Sequence, residues 1–126
     1  MRQWRVDCGG SAGIGITVRR IAEGAAVVAV SGEIDSSNGE SLCEALHTAL
    51  SETTWMIADF TGVTFCGSAG LRALLLTSED CAGRGAEFVV LPSPVVRRAV
   101  EACCLGRELR LAGADDTVTT LLAGRS

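Results

Sequence analysis

Residues 55–75 read WMIADFTGVTFCGSAGLRALL, and the hydrophobic pattern changes partway along this stretch. Its first part, residues 55–60, is a short apolar run, which is typical of a buried strand. Residues 61–67 are expected to form a connection. Ser68 then precedes apolar side chains at helical spacing, so we predict that it is the N-cap of a helix that ends within residues 83–85. A buried strand followed by an amphipathic helix indicates an α/β fold.

The alternation of strand and helix continues on both sides of this stretch. Before it, we predict strands over 16–21 and 25–30 and then a helix opened by the capping box of Ser37 and Glu40. After it, we predict a strand over 87–91 and a helix between Ser93 and Gly106. A short edge strand over 108–111 and a last helix capped by Asp115 complete the chain. Helices that connect successive strands imply a mostly parallel sheet, and the first two strands are expected to be antiparallel.

These elements define the predicted fold class. It is α/β, with a mixed, mostly parallel sheet of roughly four to five strands and about four helices. Residues 1–126 have the length of a single domain, and residues 1–15 are expected to be a flexible or hairpin lead-in. The glycine-rich segment 9–15 precedes a strand, whereas a dinucleotide-binding loop precedes a helix, so no such loop is predicted.

Charge and hydropathy exclude several classes of function. The formal net charge of −4 provides no basic surface for DNA or RNA. No apolar run reaches the roughly 18 residues that a membrane-spanning helix needs. The N-terminal residues lead into no apolar stretch of signal-peptide length. We therefore expect a cytoplasmic protein that binds neither nucleic acid nor membrane.

The residue types available limit the chemistry. There are six cysteines and a single histidine, His47, and no Cys-x-x-Cys pair occurs. Zinc sites usually show such spacing, so the cysteines are expected to be small apolar residues, with a redox role for Cys66 as the alternative. All eleven basic residues are arginine, which leaves no lysine for a P-loop or a Schiff base. No metal and no cofactor are predicted.

Two loops are candidates for a functional site, residues 32–37 and residues 63–71. Each follows an apolar strand and opens a helix, so both should lie at the same end of the sheet. From the residues alone, Ser68 is either a plain helix cap or a regulatory serine whose phosphate would sit beside the positive end of the helix. Asp35 is either a solvated loop carboxylate or a group that contacts a partner or orients the serine loop.

An enzyme is the other class that the serine loop suggests. Residues 66–70 read C-G-S-A-G, which lacks the first glycine of the nucleophile elbow of α/β-hydrolases. His47 precedes Ser68, the reverse of the hydrolase order, and no other general base is evident. The sequence therefore predicts a protein that is not an enzyme.

Three motifs in order identify a resemblance. They are Gly32-Glu33-Ile34-Asp35, Phe65-Cys66-Gly67-Ser68-Ala69-Gly70-Leu71 and Pro94-Val95-Val96-Arg97-Arg98. Together they resemble the STAS domain family, specifically bacterial anti-sigma factor antagonists, over roughly residues 16–123. The second motif is similar to the family's F-x-D-S-x-G-L, with Gly67 in place of the usual aspartate.

The resemblance implies partner switching. The unmodified antagonist would bind an anti-sigma factor that is also a serine kinase with a GHKL-type ATP site, and would thereby release a sigma factor. Phosphorylation of Ser68 would end this binding, and a PP2C-type phosphatase would restore it. The expected partner-binding residues are Asp35, Ser36, Gly67, Ser68, Ala69 and Gly70. The alternative is a STAS domain that acts as an unphosphorylated interaction or transport-accessory module.

Overall fold

The computed structural model describes residues 2–6, 13–21, 24–51 and 53–124. These residues form a five-stranded sheet and four helices, in the order β1(Arg2–Val6), β2(Ile14–Ile21), β3(Ala25–Ile34), α1(Gly39–Leu50), β4(Trp55–Cys66), α2(Ser68–Arg84), β5(Glu87–Pro92), α3(Pro94–Ala102) and α4(Val118–Ala123). No helix in the described ranges combines the length and the apolar character needed to cross a bilayer.

The sheet is mixed, and its strand order is the same as the chain order, β1-β2-β3-β4-β5. β1 and β2 pair antiparallel, as do β2 and β3, whereas β3–β4 and β4–β5 are parallel ladders. The parallel ladders follow from the two helical connections, since each helix returns the chain to the end of the sheet where the previous strand began. The predicted α/β class and the predicted antiparallel first pair, β2 with β3, are confirmed.

Strand boundaries differ from the expectation in two ways. The sequence analysis names no strand before residue 16 and leaves a flexible or a hairpin lead-in open, and β1 pairs antiparallel with β2 over its whole length. Trp4 and Val6 alternate with Gln3 and Arg5 in β1, a short period-two pattern that the sequence analysis did not use. β3 and β4 also run further than predicted, to Ile34 and Cys66, and residues 61–66 are strand rather than connection. Residues 7–12 of the expected lead-in lie outside the described residues.

Two predicted helix caps are wrong, the first because of a side-chain hydrogen bond and the second because of backbone pairing. The capping box of Ser37 and Glu40 is not formed, because Asn38 takes the N-cap position of α1 and the Ser37 hydroxyl donates to Asp35 instead. Gly67, not Ser68, is the N-cap residue of α2. The N–H of Gly67 donates to the carbonyl of Ile34 at 3.0 Å, which continues the β3–β4 ladder and keeps Gly67 extended.

The C-terminal third also departs from the prediction. The expected edge strand over 108–111 is a single parallel bridge between Leu111 and Val90. Thr117 rather than Asp115 caps α4, in a reciprocal capping box with Thr120.

The caps of α2 and α3 are predicted with mixed success. Ser93 caps α3 as expected, its hydroxyl accepting from the N–H of Val96 at 3.3 Å. α3 ends at Ala102, before the predicted stop at Gly106, and Cys104 follows with a φ of 56°. The predicted end of α2 in residues 83–85 is confirmed.

Two apolar clusters lie on opposite faces of the sheet, because successive residues of a strand point to opposite sides. The larger cluster contains Val28 and Met56 and the buried sides of α1, α2 and α3. The smaller cluster contains Val27 and Ile57 and is covered by α4. The apolar face predicted for α1 is confirmed, since all five of its members are buried: Leu42, Ala45, Leu46, Ala49 and Leu50.

The larger cluster should dominate stability. Leu46 is fully buried on α1, so Leu46→Ala should lower the free energy of unfolding by about 2–5 kcal/mol. Leu76 on α2 is 41% exposed, and the matched variant Leu76→Ala should cost less than about 1 kcal/mol. Urea denaturation followed by circular dichroism measures both. Equal losses for the two variants would contradict the assignment of the core.

Candidate functional site

The two candidate loops meet where β3 and β4 end. Ile34 and Cys66 are the last paired residues of the β3–β4 ladder, so residues 35–38 and residues 67–68 leave the sheet side by side. Two register shifts in this ladder, after Ala29 and after Gly32, bend the strand ends. The expected proximity of the loops is thereby confirmed.

Ser68 occupies the first position of α2 and is exposed. Its hydroxyl makes no hydrogen bond to any group in the described part of the chain, because Gly67 holds the N-cap position. The carbonyl of Gly67 accepts from the N–H groups of Gly70 and Leu71 at 3.0 and 3.4 Å. The plain-cap role considered for Ser68 is therefore contradicted, and its hydroxyl is available to another molecule.

Asp35 is exposed and organises the other loop. Its carboxylate accepts from the hydroxyl of Ser37 at 2.6 Å and from the N–H of the same residue at 2.9 Å. The hydrogen bond from the Ser37 hydroxyl is the main reason that the pKa of Asp35 is lowered. Ser36, between them, is exposed at the tip of the turn. Asp35 thus presents a charged oxygen pair at a fixed place near Ser68.

Asn38 is a residue that sequence reasoning missed. It is completely buried, and its amide oxygen accepts from the N–H of Asp35 at 3.0 Å. Its amide nitrogen donates to the carbonyl of Glu33 at 2.8 Å. An asparagine directly before a helix was the available signal, since such residues often bond to nearby backbone. Asn38 ties the Asp35 turn to the end of β3.

The starts of α1 and α2 are in contact, which couples the two loops. A Cβ added at Gly39 would lie 2.8 Å from the Cβ of Ala69. Gly70 is buried, and a Cβ there would lie 2.7 Å from the sulfur of Cys66. Gly70 therefore contributes close packing rather than a surface for a partner. Ala69 is partly exposed beside it.

Phe65 is a second feature that the sequence analysis did not single out as a site residue. It lies three positions before Ser68, near the end of β4, and 50% of its surface is exposed. Aromatic side chains are enriched at protein interfaces because they bury a large area with few rotatable bonds. Phe65 is therefore an exposed aromatic side chain at the same end of the sheet as Ser68.

The remaining candidates are placed elsewhere. His47 contacts Asp80 at 3.4 Å, and Asp80 lies twelve residues after Ser68 along α2, roughly 18 Å away. The carboxylate of Asp59 accepts from the hydroxyl of Thr61 at 2.7 Å. Arg97 donates to the carbonyl of Ala112 at 2.7 Å. Ser68 therefore has neither His47 nor these groups beside it.

The cysteines carry no assembled site. The five in the described ranges are free, Cys8 lies outside those ranges, and within them no three metal-ligating side chains come together. Burial raises the pKa of the Cys66 thiol, which disfavours the reactive thiolate. This argues against the redox alternative for Cys66.

Comparison with known proteins agrees with this architecture. Residues 17–121 match the model of the STAS domain. The anti-sigma-F factor antagonist RsfB of Mycobacterium tuberculosis is 34% identical over 105 residues, which cover 81% of this chain and 85% of that protein.

Solved structures give the same result. The crystal structure of an anti-sigma factor antagonist from Mycobacterium paratuberculosis matches with a TM-score of 0.77 and 30% identity, over 90% of this chain and 95% of that one. The anti-sigma factor antagonist SpoIIAA in its unphosphorylated form shares the fold, with a TM-score of 0.68 and 21% identity, over 86% of this chain and 96% of that one.

The contact between the two helix starts yields a prediction. Gly39→Ala should lower the free energy of unfolding by about 1–3 kcal/mol, because the new methyl group would press on Ala69. The second substitution Ala69→Gly should recover most of this loss. Gly83→Ala is the control, since nothing lies within 4 Å of a Cβ at Gly83, and it should be neutral or stabilising. Urea unfolding of these three variants and of Ala69→Gly alone measures the coupling, and simple additivity of the Gly39→Ala and Ala69→Gly effects would contradict the contact.

The hydrogen bonds to Asp35 yield a second prediction. Ser37→Ala should raise the pKa of Asp35 toward its ordinary value of 3.8, as measured by NMR titration of the carboxyl carbon. Because folding lowers this pKa, the charged carboxylate stabilises the loop above the unfolded pKa, and that stabilisation is lost as the pH falls through the folded value. Thr61→Ala, which removes a hydroxyl from Asp59, should leave Asp35 unchanged.

Proposed function

The chain belongs to the STAS domain family, and from that premise we propose that it is an anti-sigma factor antagonist switched by phosphorylation of Ser68. The observation that carries the proposal is the exposed hydroxyl at the first position of α2, which no other group of the described chain engages. The likeness to RsfB over most of both chains supports the class of partner. The partner proposed is an anti-sigma factor with a GHKL-type serine kinase domain, and a PP2C-type phosphatase would remove the phosphate.

The proposed binding surface consists of Asp35, Ser36, Phe65, Ser68 and Ala69, together with the backbone of Gly67. These residues are exposed or partly exposed on two loops whose geometry is fixed by Asn38 and by the contact between the helix starts. A surface that is already ordered loses little conformational entropy on binding. Phe65 would supply the apolar anchor, and the charge of Asp35 would fix how the partner is aligned on this surface.

A phosphate on Ser68 should act through charge rather than through unfolding. It would add about −1.5 to −2 charges at the start of a helix, where anions are favoured. The first turn of α2 holds no acidic residue that would repel it. A partner docked on this surface would instead meet a hydrated dianion and would have to desolvate it. The modified protein would stay folded and lose its partner.

Gly67 stands where the family commonly has aspartate, which keeps a second candidate open. A Cβ at Gly67 would lie 3.5 Å from the carbonyl oxygen of Ile34 and 3.5 Å from the ring of Phe65, ordinary contact distances. The loop therefore has room for a side chain at position 67. Gly67 differs from the family's usual aspartate by the loss of a negative charge, not by a steric requirement. The second candidate is a STAS module that binds its partner constitutively, without modification of Ser68.

Substitution of Ser68 separates these candidates. Ser68→Asp should weaken binding to the cognate anti-sigma factor by about 30-fold or more, which corresponds to the roughly 2 kcal/mol cost of an unpaired interfacial charge. Ser68→Ala should bind as the parent does. Thr119→Asp on α4, which covers the other face of the sheet, is the matched control and should also bind normally. Isothermal titration calorimetry measures all four proteins, and unchanged affinity of Ser68→Asp favours the constitutive module.

Intact-mass analysis of the protein from its own cells tests the modification directly. A fraction heavier by one phosphate, mapped to Ser68, supports the switch, and Ser68→Ala should lack this fraction. If the purified kinase partner binds the chain but never labels it, phosphorylation control is wrong. We propose a cytoplasmic location, as for other regulators of transcription, and no catalytic activity of its own.

A further inference from the structure

Arg72 is a charged residue that the switch described so far does not use. It lies on the exposed side of α2, four residues after Ser68. Within the described ranges its guanidinium makes no ion pair and no hydrogen bond. Two ion pairs occur among those residues, His47 with Asp80 and Arg110 with Glu87, and neither involves Arg72.

Helix geometry directs Arg72 toward Ser68. Residues four apart on a helix are neighbours, with Cβ atoms about 5–6 Å from each other. Helical side chains also lean toward the N-terminus, so the guanidinium of the later residue extends over the earlier one. An anion that precedes a cation by four residues is the favourable orientation of such a pair. The first turn of α2 holds no acidic side chain that would compete for this place.

Among the described residues, no acidic side chain lies within ion-pair distance of Arg72. Burial raises the pKa of the Cys43 thiol on α1, and the positive charge of Arg72 offsets part of that rise. Glu40, in the first turn of α1, also acts on this thiol, yet it is not within ion-pair distance of Arg72 in the described structure. Asp35 is engaged by Ser37.

We propose that Arg72 is the intramolecular cation that pairs with the phosphate on Ser68. This inference rests on the proposed modification of Ser68 and adds a second change to it. Phosphorylation would place a dianion on the partner surface and would also engage a positive charge that the unmodified protein presents there. Arg72 is thus a positioning residue for the phosphate and holds it over the first turn of α2.

The test uses the full chain with phosphoserine incorporated at position 68 during translation, so that no kinase is needed. The second ionisation of the phosphate, which ordinarily has a pKa near about 6, is followed by ³¹P NMR titration. A nearby guanidinium favours the dianion, so this pKa should be lower in the parent than in Arg72→Gln by about 0.3 unit.

Two further variants serve as controls. Arg84→Gln removes an exposed arginine from the last turn of the same helix, sixteen residues from Ser68 and roughly 24 Å away, and should titrate as the parent does. Arg72→Lys keeps the charge and should retain most of the shift. Circular dichroism of each unphosphorylated variant checks that the fold is unchanged.

The outcomes separate this inference from the proposed function. Equal phosphate titrations for the parent and Arg72→Gln, or an equal change for Arg84→Gln, would overturn the pairing and leave the binding experiment with Ser68→Asp unaffected. A shift specific to Arg72→Gln supports the pairing. If the anti-sigma factor still binds the phosphorylated chain, the switch is wrong, while the titration still decides whether Arg72 holds the phosphate.

Discussion

The parallel pairing of β3 with β4, carried to the last residue of each strand, is the constraint on which the site depends. It sets Ile34 beside Cys66 and lets the N–H of Gly67 bond to the carbonyl of Ile34. Both loops must then begin at the same point, and both helices must start in contact. Two stretches of chain about thirty residues apart in sequence become one continuous surface, as expected at the carboxyl ends of parallel strands.

The same hydrogen bond frees the serine. Since Gly67 stays in the extended conformation of the ladder, it takes the N-cap position and Ser68 becomes the first residue of α2. A serine at the N-cap would use its oxygen to accept a backbone N–H, and a modifying enzyme would have to break that bond. At the first helical position the hydroxyl is not needed to accept a backbone N–H. A shift of one residue thus separates a structural serine from an accessible one.

The packing of the two loops bears on how the proposed switch at Ser68 would work. Asn38 is buried and bonds both to Asp35 and to Glu33, and Gly39 packs on Ala69. A rearrangement of the loops would have to break these contacts. On the proposed surface, a phosphate would change the charge while the shape stays the same. A docked partner would then meet the added charge, and Arg72 is the cation that we propose to pair with it.

The sequence by itself determined the α/β class, the antiparallel first pair, the buried face of α1 and the neighbourhood of the two loops, because apolar periodicity reports which side of an element is buried. It did not determine β1, the long ends of β3 and β4, or the N-caps of α1 and α2. The strand ends and the N-cap of α2 depend on backbone hydrogen bonds between β3 and β4, which leave no pattern in side-chain polarity. β1 is a short strand, and the N-cap of α1 is set by hydrogen bonds within its own loop. Tertiary structure alone decided that Asn38 is buried, where its amide bonds to Asp35 and Glu33, and that Phe65 is exposed, since β4 continues past its last buried residue, Val63.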